Sequence, residues 1–310
     1  MSLGHLPVML GPVLDGLRIH ANGYYLDATF GRGGHSKAIL EALGQKGRLI
    51  AIDRDPDAID AAPPALVEDR RFELVRGDYA GLDDIVRQRQ LEGRIDGILI
   101  DAGVSSPQLD DASRGFSFTR NGPLDMRMDP DQGVSAADWL AHVDEKDLKR
   151  ILKTYGEERQ AARIARAIVT ARNEAPIRET RELAAIVEEA APARGPVRKH
   201  PATRTFQAIR IHINNELSQL EQALEKSVDV LAPGGRLCVI SFHSLEDRIV
   251  KRFMRSASRE PKQYKNIPNI PAELRPKLAL VGKPVTATEN EISDNPRARS
   301  ARLRIAERAA

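Results

Sequence analysis

The chain contains little cysteine, few aromatic residues and no long apolar segment. Its 310 residues include one cysteine, Cys238, which excludes an internal disulfide framework and fits a cytosolic setting. No run of 18 apolar residues occurs, and the N-terminus lacks a basic segment followed by an apolar one, so we expect neither a membrane span nor a secretory signal. Aromatic residues form only 4% of the chain, which argues against an extended stacking platform for single-stranded nucleic acid.

Residues that bind metals are also sparse. The 7 histidines are scattered and show no spacing typical of a metal site with cysteine, so metal dependence is not suggested. Cys238 lies in the apolar run 236–240, where we expect it to fill the core. The length predicts two domains, or one domain with a large insertion.

Three closely spaced glycines follow a short apolar run that ends in an acid, Asp27. Gly31, Gly33 and Gly34 come next, and apolar residues at helical spacing continue over 38–43. Glycine is needed where a backbone approaches a ligand closely, because no room is left for a Cβ atom. The segment therefore predicts a strand, a nucleotide-binding turn and a helix.

Three kinds of ligand compete for such a turn. A phosphate-binding P-loop requires Gly-Lys followed by Ser or Thr, whereas Lys37 here follows Ser36. The NAD fingerprint requires a glycine where Ser36 stands. The remaining pattern, an acid at the strand end followed by Gly-x-Gly, favours S-adenosylmethionine, because the carboxylate of Asp27 suits a cationic amino-acid moiety. A tight turn without a ligand is the alternative.

A second apolar run, 47–53, ends in Asp53. This acid lies 22 positions after Gly31, close to the offset at which an acid binds a ribose hydroxyl. We interpret Asp53 as the ribose ligand. Asp55 precedes a proline and is interpreted as a helix N-cap.

Two further runs end in polar residues. The run 72–76 leads to Asp78 and Tyr79, which we expect near the adenine, with Tyr79 stacking on the ring. The run 95–100 ends at Asp101. Because ligands of open α/β sheets bind at the carboxyl ends of the strands, these residues are predicted to share one site.

The interval after Asp101 is too long for a loop. The next strand-like run, 236–241, begins roughly 130 residues later, and loops of that length carry structure of their own. Helical patterns fill the interval over 136–142, 145–155, 157–173 and 181–190. We therefore predict an inserted all-helical domain over 105–205, and a cofactor-binding domain formed by residues 1–104 and 206–310.

The C-terminal part is expected to complete a doubly wound, mostly parallel α/β sheet. Apolar positions step by three or four from Phe206 to Leu231, which predicts one long helix ended by Pro233 and two glycines. A helix over 245–255 and an antiparallel hairpin of strands 277–280 and 301–305 follow.

Net charge is only +3, but basic residues cluster. Between Arg194 and His212 no acid occurs, and the runs 248–265 and 297–304 are also basic. Such runs suit phosphates, and their alternative interpretation is a solvated helix face. The five basic residues of the first run are Arg194, Arg198, Lys199, Arg204 and Arg210.

These residues together resemble the bacterial 16S ribosomal RNA cytosine-N4 methyltransferase family across nearly the whole chain. Many separated matches in one order make the resemblance specific. The family usually has a larger apolar residue where Ala102 stands. The matching segments are TFGRGGH (29–35), DRDP (53–56), VSSPQLD (104–110), RGFSF (114–118), GPLDMRMD (122–129), KTYGE (153–157), HPATRTFQ (200–207), SFHSLED (241–247) and NPRARS (295–300).

The resemblance implies a Rossmann-like class I methyltransferase fold and S-adenosylmethionine as the cofactor. It further implies methylation of the N4 amine of a cytidine in the decoding region of 16S rRNA, where the small ribosomal subunit holds the P-site codon. A homodimer is neither required nor excluded. The implied cofactor contacts are Gly33, Gly34, His35, Asp53, Tyr79, Asp101 and Gln108.

Methylation of an amine needs a hydrogen-bond acceptor near the nitrogen. Enzymes that methylate amines place (Asp/Asn/Ser)-Pro-Pro-aromatic after the fourth strand, and Ser105, Ser106, Pro107 and Gln108 resemble a degenerate version of it. A simple turn is the alternative. We expect Asp101 to be the carboxylate near the amine, either binding or accepting a proton.

Four other residues are candidates for substrate contacts. Phe242 would stack on the cytosine and His243 would hydrogen-bond its edge or a phosphate, although a histidine at a strand end is more often structural. Asp125 and Arg127 would shape the pocket, or form a surface ion pair.

Two other functional classes stay open at this point. A dinucleotide-dependent oxidoreductase is disfavoured by the missing third glycine and by Asp27. A non-catalytic ribosome-assembly factor with a vestigial site is disfavoured because Gly31, Gly33, Gly34 and Asp53 are intact.

Overall fold

The computed structural model describes residues 7–192, 200–260, 264, 271 and 274–310. The chain forms two compact units: Met1–Gly103 with Leu217–Ala310, here the sheet unit, and Val104–Glu216, here the helical unit. The sequence placed the second boundary after residue 205, which lies inside the helix Thr203–Ile213, so this boundary differs from the observed one. Within the described residues, every helix is too short or too polar to span a bilayer.

The sheet unit contains a mixed sheet of strands β1 to β8. The order is β3-β2-β1-β4-β5-β8-β6, and β7 also pairs with β8. The pairs among β1 to β5 are parallel, whereas β8 is antiparallel to its three partners. The strands are β1 Tyr24–Asp27, β2 Arg48–Asp53, β3 Phe72–Arg76, β4 Ile95–Asp101, β5 Leu231–Ser241, β6 Leu278–Leu280, β7 Val285–Thr286 and β8 Arg302–Arg308.

Helices cover both faces of this sheet. Neighbouring residues of one strand point to opposite faces, so Ile98 and Ile100 of β4 enter one apolar core while Leu99 enters the other. Both faces are thus buried, which confirms the predicted doubly wound arrangement. The helices of the sheet unit are α1 Leu10–Leu17, α2 Gly34–Ala42, α3 Pro56–Asp60, α4 Pro64–Val67, α5 Leu82–Arg87, α12 Glu216–Val230, α13 Ser244–Ala257 and α14 Glu289–Asp294, where α12 begins at the last residue of the helical unit.

The helical unit has an apolar core of its own. Leu148, Ile164, Leu183 and Phe206 are buried in it and come from four different helices. The four helical segments that the sequence predicts over 136–190 are all present: 136–142 and 145–155 have the predicted bounds, 157–173 is observed as 161–174, and 181–190 is observed as 180–190. The helices of this unit are α6 Ser106–Asp110, α7 Ala136–His142, α8 Glu145–Tyr155, α9 Ala161–Glu174, α10 Thr180–Ala190 and α11 Thr203–Ile213.

The predicted single helix from Phe206 to Leu231 is wrong, because two helices occupy this stretch. Asn215 separates α11 from α12 with a left-handed φ of 51°. The neighbouring Asn214 side chain accepts from the Met128 N–H at 2.7 Å and donates to the Met126 carbonyl at 2.7 Å. Hydrophobic periodicity does not reveal this break, because it depends on side-chain hydrogen bonds to a distant loop.

The break leads to a testable prediction at Asn215, whose side chain is exposed. We expect Asn215→Ala to lower the free energy of unfolding by about 1 kcal/mol, because alanine is strained in the left-handed region, and Asn215→Gly to be near neutral. Urea unfolding followed by circular dichroism measures both. A continuous helix would give the opposite order, with glycine about 1 kcal/mol worse than alanine.

Candidate active site

The strand order reverses between β1 and β4. The chain proceeds from β1 to β2 and β3 on one side and from β4 to β5 on the other, so the carboxyl ends of β1 and β4 border a crevice. Asp27 ends β1, Asp53 ends β2 and Asp101 ends β4. The structure therefore brings the three predicted acids to one edge of the sheet.

The glycine turn lies at this edge. Gly31 has a φ of +56°, and a Cβ atom there would meet nothing within 4 Å, so the space beside it is open to a ligand. Gly33 has a φ of +74° and caps α2, where a Cβ atom would approach Leu66 and Phe30 to 2.8 Å. Glycine is thus required at Gly33 by both backbone conformation and packing.

Asp53 holds the glycine turn to the second strand. One carboxylate oxygen accepts from the Gly31 N–H at 2.7 Å, and the other accepts from the Asp55 N–H at 2.9 Å. Burial is the largest cause that raises the pKa of Asp53. Asp55 caps α3 by accepting from the Asp57 N–H, as the sequence predicts.

Asp27 is completely buried beneath the turn. Its oxygens accept from the Ser36 hydroxyl at 2.7 Å and from the Thr29 N–H at 3.2 Å. Burial raises the pKa of Asp27 to about 7, and the charge of Asp53 adds to this, while the two hydrogen bonds oppose it. Ser36 therefore has a structural reason to stand where the NAD fingerprint has glycine.

Of the three acids, Asp101 has the fewest hydrogen bonds to its carboxylate. Among the described residues, its buried Oδ1 atom has no hydrogen-bond partner. Its Oδ2 atom lies 3.8 Å from His35 Nδ1. Burial raises the pKa of Asp101 well above its usual value, and the charges of Asp27 and Glu246 raise it further.

His35 is neutral in this environment. Burial lowers its pKa to about 4, and its Nε2 atom lies 3.0 Å from the Val8 carbonyl. Because a carbonyl can only accept, the proton of the neutral ring is on Nε2, and the Nδ1 lone pair faces Asp101. No pattern in the sequence indicates the contact between His35 and Val8.

The end of β5 carries Phe242 and His243. The His243 Nδ1 atom caps α13 by accepting from the Glu246 N–H at 3.4 Å. The buried Glu246 carboxylate accepts from the N–H groups of Phe242 at 2.7 Å and His243 at 3.2 Å. Sequence reasoning missed Glu246, although an acid three residues after an N-cap is the pattern of a capping box.

Tyr79 and Asp78 follow β3. Tyr79 begins a short 3₁₀ turn and is partly buried against the apolar core. The Asp78 carboxylate lies 3.1 Å from Arg54 Nε. Tyr79 is thus anchored beside the sheet, and its predicted contact with adenine stays a prediction.

The predicted loop after β4 belongs to the helical unit. Ser105 precedes α6, with Ser106 and Pro107 in its first turn, and the nearly buried Gln108 accepts from the Ser105 N–H at 2.9 Å. The degenerate motif therefore forms a capped helix start.

The other predicted substrate residues also lie in the helical unit. Arg127 donates two hydrogen bonds to Asp125, at 2.8 and 2.7 Å, so the ion pair considered from the sequence exists. Arg204 is exposed, and its guanidinium lies 3.4 Å from the Glu157 carbonyl. Arg194, Arg198 and Lys199 lie outside the described residues.

This chain is similar to a known protein family and to several solved structures. A family model described as the MraW methylase family matches residues 2–309. Among solved structures, a putative rRNA-methylase from Clostridium thermocellum has 12% identity and a TM-score of 0.46, covering 98% of this chain and 99% of that chain. A putative methyltransferase from Streptococcus mutans, solved with S-adenosylhomocysteine, has 10% identity and a TM-score of 0.42, covering 98% and 99%. At such TM-scores these likenesses carry no argument about function.

The doubly wound sheet and its glycine turn define a methyltransferase that uses S-adenosylmethionine, which confirms the predicted fold class and cofactor. The chain belongs to the MraW methylase family, the family of 16S rRNA cytosine-N4 methyltransferases that its sequence resembles. The residues present fit this cofactor. Open space beside Gly31 leaves room for it, and the unpartnered Asp101 oxygen suits a cationic group.

The buried Asp27 leads to a pH prediction for the protein without cofactor. Its pKa rises from 3.8 to about 7 on folding, so the native state binds more protons between these values. The Asp27 contribution to the free energy of unfolding is therefore largest below about pH 4 and falls as pH rises to about 7, by at most about 1.4 kcal/mol per pH unit. Asp27→Asn removes this term, so we expect it to gain stability relative to the native chain as pH rises.

Urea unfolding of both proteins at pH 5 and pH 8 measures the difference. A stability difference between the two that does not change with pH would contradict the raised pKa of Asp27.

Proposed function

We propose that this protein transfers a methyl group from S-adenosylmethionine to the N4 amine of a cytidine in the decoding region of 16S rRNA. The observation that carries the proposal is Asp101 at the crevice between β1 and β4, a half-buried carboxylate whose buried Oδ1 atom has no hydrogen-bond partner among the described residues. Membership of the methylase family and the motif matches support the choice of substrate.

The cofactor supplies a methyl group on a sulfonium, and the residues of the turn would hold it. The Gly31 to Gly34 backbone would approach the ligand, Asp27 would compensate its positive charge from below, and Asp53 would accept from the ribose. Tyr79 is the proposed contact with the adenine ring. Gln108 of the helical unit is a further proposed contact with the cofactor. Each Asp53 oxygen retains a second lone pair beside its bond to the backbone, so the ribose role is compatible with the hydrogen bonds to Gly31 and Asp55.

The rate of the reaction depends mainly on the alignment of the acceptor nitrogen with the methyl group. In-line displacement is accelerated when the acceptor nitrogen is held about 3 to 3.5 Å from the methyl carbon. The cytosine amine is a weak nucleophile, because its lone pair is delocalised into the ring. An acceptor on its N–H group draws the nitrogen toward tetrahedral geometry, and the Asp101 carboxylate is the proposed acceptor, with Ser105, Ser106 and Pro107 as further proposed contributors.

The protonation of Asp101 follows from its surroundings. Without a cation nearby, the raised pKa of Asp101 favours the neutral carboxyl. A positive charge in the crevice favours the carboxylate, which is the form able to accept from the amine. Binding of the cationic cofactor would thus favour the ionised form of Asp101 that accepts a hydrogen bond from the cytosine amine.

The proposed substrate contacts are the candidates that the sequence indicates. Phe242 is proposed to stack on the cytosine, and His243 to hydrogen-bond near it while capping α13. Asp125 with Arg127 would shape the pocket, since their bidentate pair leaves them rigid. The basic residues Arg194, Arg198, Lys199 and Arg204 would contact phosphates.

The small ribosomal subunit in the cytoplasm is the proposed setting, and a homodimer is one assembly to test. The alternative of a non-catalytic assembly factor is separated from the enzyme by a single measurement. We expect small subunits incubated with the protein and labelled cofactor to yield N4-methylcytidine on nucleoside mass spectrometry, with no product from Asp101→Ala. Label on a ring carbon or a ribose hydroxyl would refute the amine mechanism, and no label would favour the assembly factor.

A second prediction separates two roles of Asp101. Asp101→Asn keeps the shape of the side chain and removes its charge. If the carboxylate accepts the proton, the Asn variant should lose roughly 10² to 10⁴ in rate, nearly as much as Asp101→Ala. If it only orients the cofactor, Asn should recover much of the rate at saturating S-adenosylmethionine.

Single-turnover rates on small subunits measure the difference, with RNA binding as the control. Loss of RNA binding equal to the loss of rate in both variants would contradict a role in the chemical step.

A further inference from the structure

Helix α13 has an exposed face that carries only positive charge. Its apolar side, with Val250 and Met254, is buried against the sheet, where the helix packs on β5, β6 and β8. Its two acids are both engaged elsewhere, Glu246 at the helix start and Asp247 with Arg302 and Arg304. The exposed basic residues that follow on the helix are Arg248, Lys251, Arg252 and Arg255, and Arg259 lies two residues beyond the helix end beside the exposed Glu260.

Four of these side chains lack counterions. In the described part of the chain, no ion pair is formed by Lys251, Arg252, Arg255 or Arg259. The exposed charged side chains of α12 in the same unit are by contrast acidic: Glu221, Glu225 and Asp229. The exposed charges of α12 and α13 are thus of opposite sign, whereas α2 and α5 of the same unit each carry both signs in ion pairs.

The position of α13 connects this face to the site. The helix begins at Ser244, directly after Phe242 and His243 at the carboxyl end of β5. Asp101 pairs with Ile240 in the neighbouring strand, so the helix start and the reactive acid lie at the same sheet edge. The basic face then leads away from that edge.

The face continues beyond the helix end. The Lys277 N–H donates to the Ala257 carbonyl at 2.9 Å, which joins α13 to the strand segment with the exposed Arg275 and Lys277. Arg248 to Arg255 spans about 10 Å along the axis. A nucleic-acid strand in a double helix carries one phosphate for roughly every 3.4 Å, so the face can contact about three phosphates.

We propose that the exposed face of α13 binds the phosphate backbone of the RNA strand beside the target nucleotide. The inference rests on the proposed function for its choice of RNA as the ligand. The contacts are electrostatic and independent of base sequence, because guanidinium and ammonium groups reach phosphates and no exposed aromatic residue accompanies them in the described part of this face.

The test is the salt dependence of binding to a small-subunit rRNA fragment. The triple variant Lys251→Gln, Arg252→Gln, Arg255→Gln keeps good helix formers and removes three charges. We expect its slope of log K against log salt to flatten by about 2, from about 0.7 per phosphate contact, with the affinity for S-adenosylmethionine unchanged.

The matched control removes three exposed charges at the opposite edge of the same sheet. Lys46, Arg48 and Arg70 lie at or just before the amino ends of β2 and β3, and their replacement by Gln should leave the slope unchanged. A conservative set, Lys251→Arg, Arg252→Lys and Arg255→Lys, should also retain it, because charge is the property that matters.

Equal slopes for the α13 and control triples would overturn the proposal, as would a flattened slope in the conservative set. Native protein that binds the RNA without methylating it would refute the proposed function. The salt-dependence slopes would still show whether the exposed face of α13 binds the RNA. Methyl transfer by the native protein, together with an unchanged slope in the α13 triple variant, would refute only the proposal that α13 binds the RNA.

Discussion

The site depends on the burial of negative charge at the point where the strand order reverses. Parallel pairing of β1 with β4 brings Asp27 and Asp101 to neighbouring strand ends, and burial there raises the pKa of both acids. Burying like charges together is costly unless a cation compensates them. The crevice is therefore preorganised for a cationic ligand, which is what a sulfonium cofactor provides.

The other parts of the sheet edge support these acids. Ser36 and Thr29 hold Asp27, while Asp53 ties the Gly31 backbone to the second strand. Thr29 also accepts from the Asp101 N–H through its hydroxyl at 2.7 Å, so a single residue connects the ends of β1 and β4. Polar and charged groups that would be costly to bury alone are thus connected to one another by hydrogen bonds through the glycine turn.

Much of this was predictable because it follows from local pattern. Apolar runs that end in acids predicted β1, β2 and β4, the apolar run 72–76 predicted β3, and glycine spacing predicted the turn, since these features depend on residues close in sequence. The break at Asn215, the short strand β7 and the cap formed by Glu246 were not predicted. Asn214 is bonded to residues 126 and 128, and the two-residue β7 is exposed and paired only with β8, so no periodicity marks either feature.

The sequence by itself determined the doubly wound fold class, the positions of most strands along the chain, the glycine turn, the acids at the strand ends and the family. Tertiary structure alone decided the protonation of those acids, because burial and charges from distant segments set it: Asp101 is affected by Asp27 and Glu246, and His35 by the Val8 carbonyl. It likewise decided that Lys251, Arg252 and Arg255 of α13 form no ion pair with any residue that the structure describes. Asp247 is neutralised by Arg302 and Arg304, residues more than fifty positions away, and this leaves α13 uniformly positive beyond its first turn.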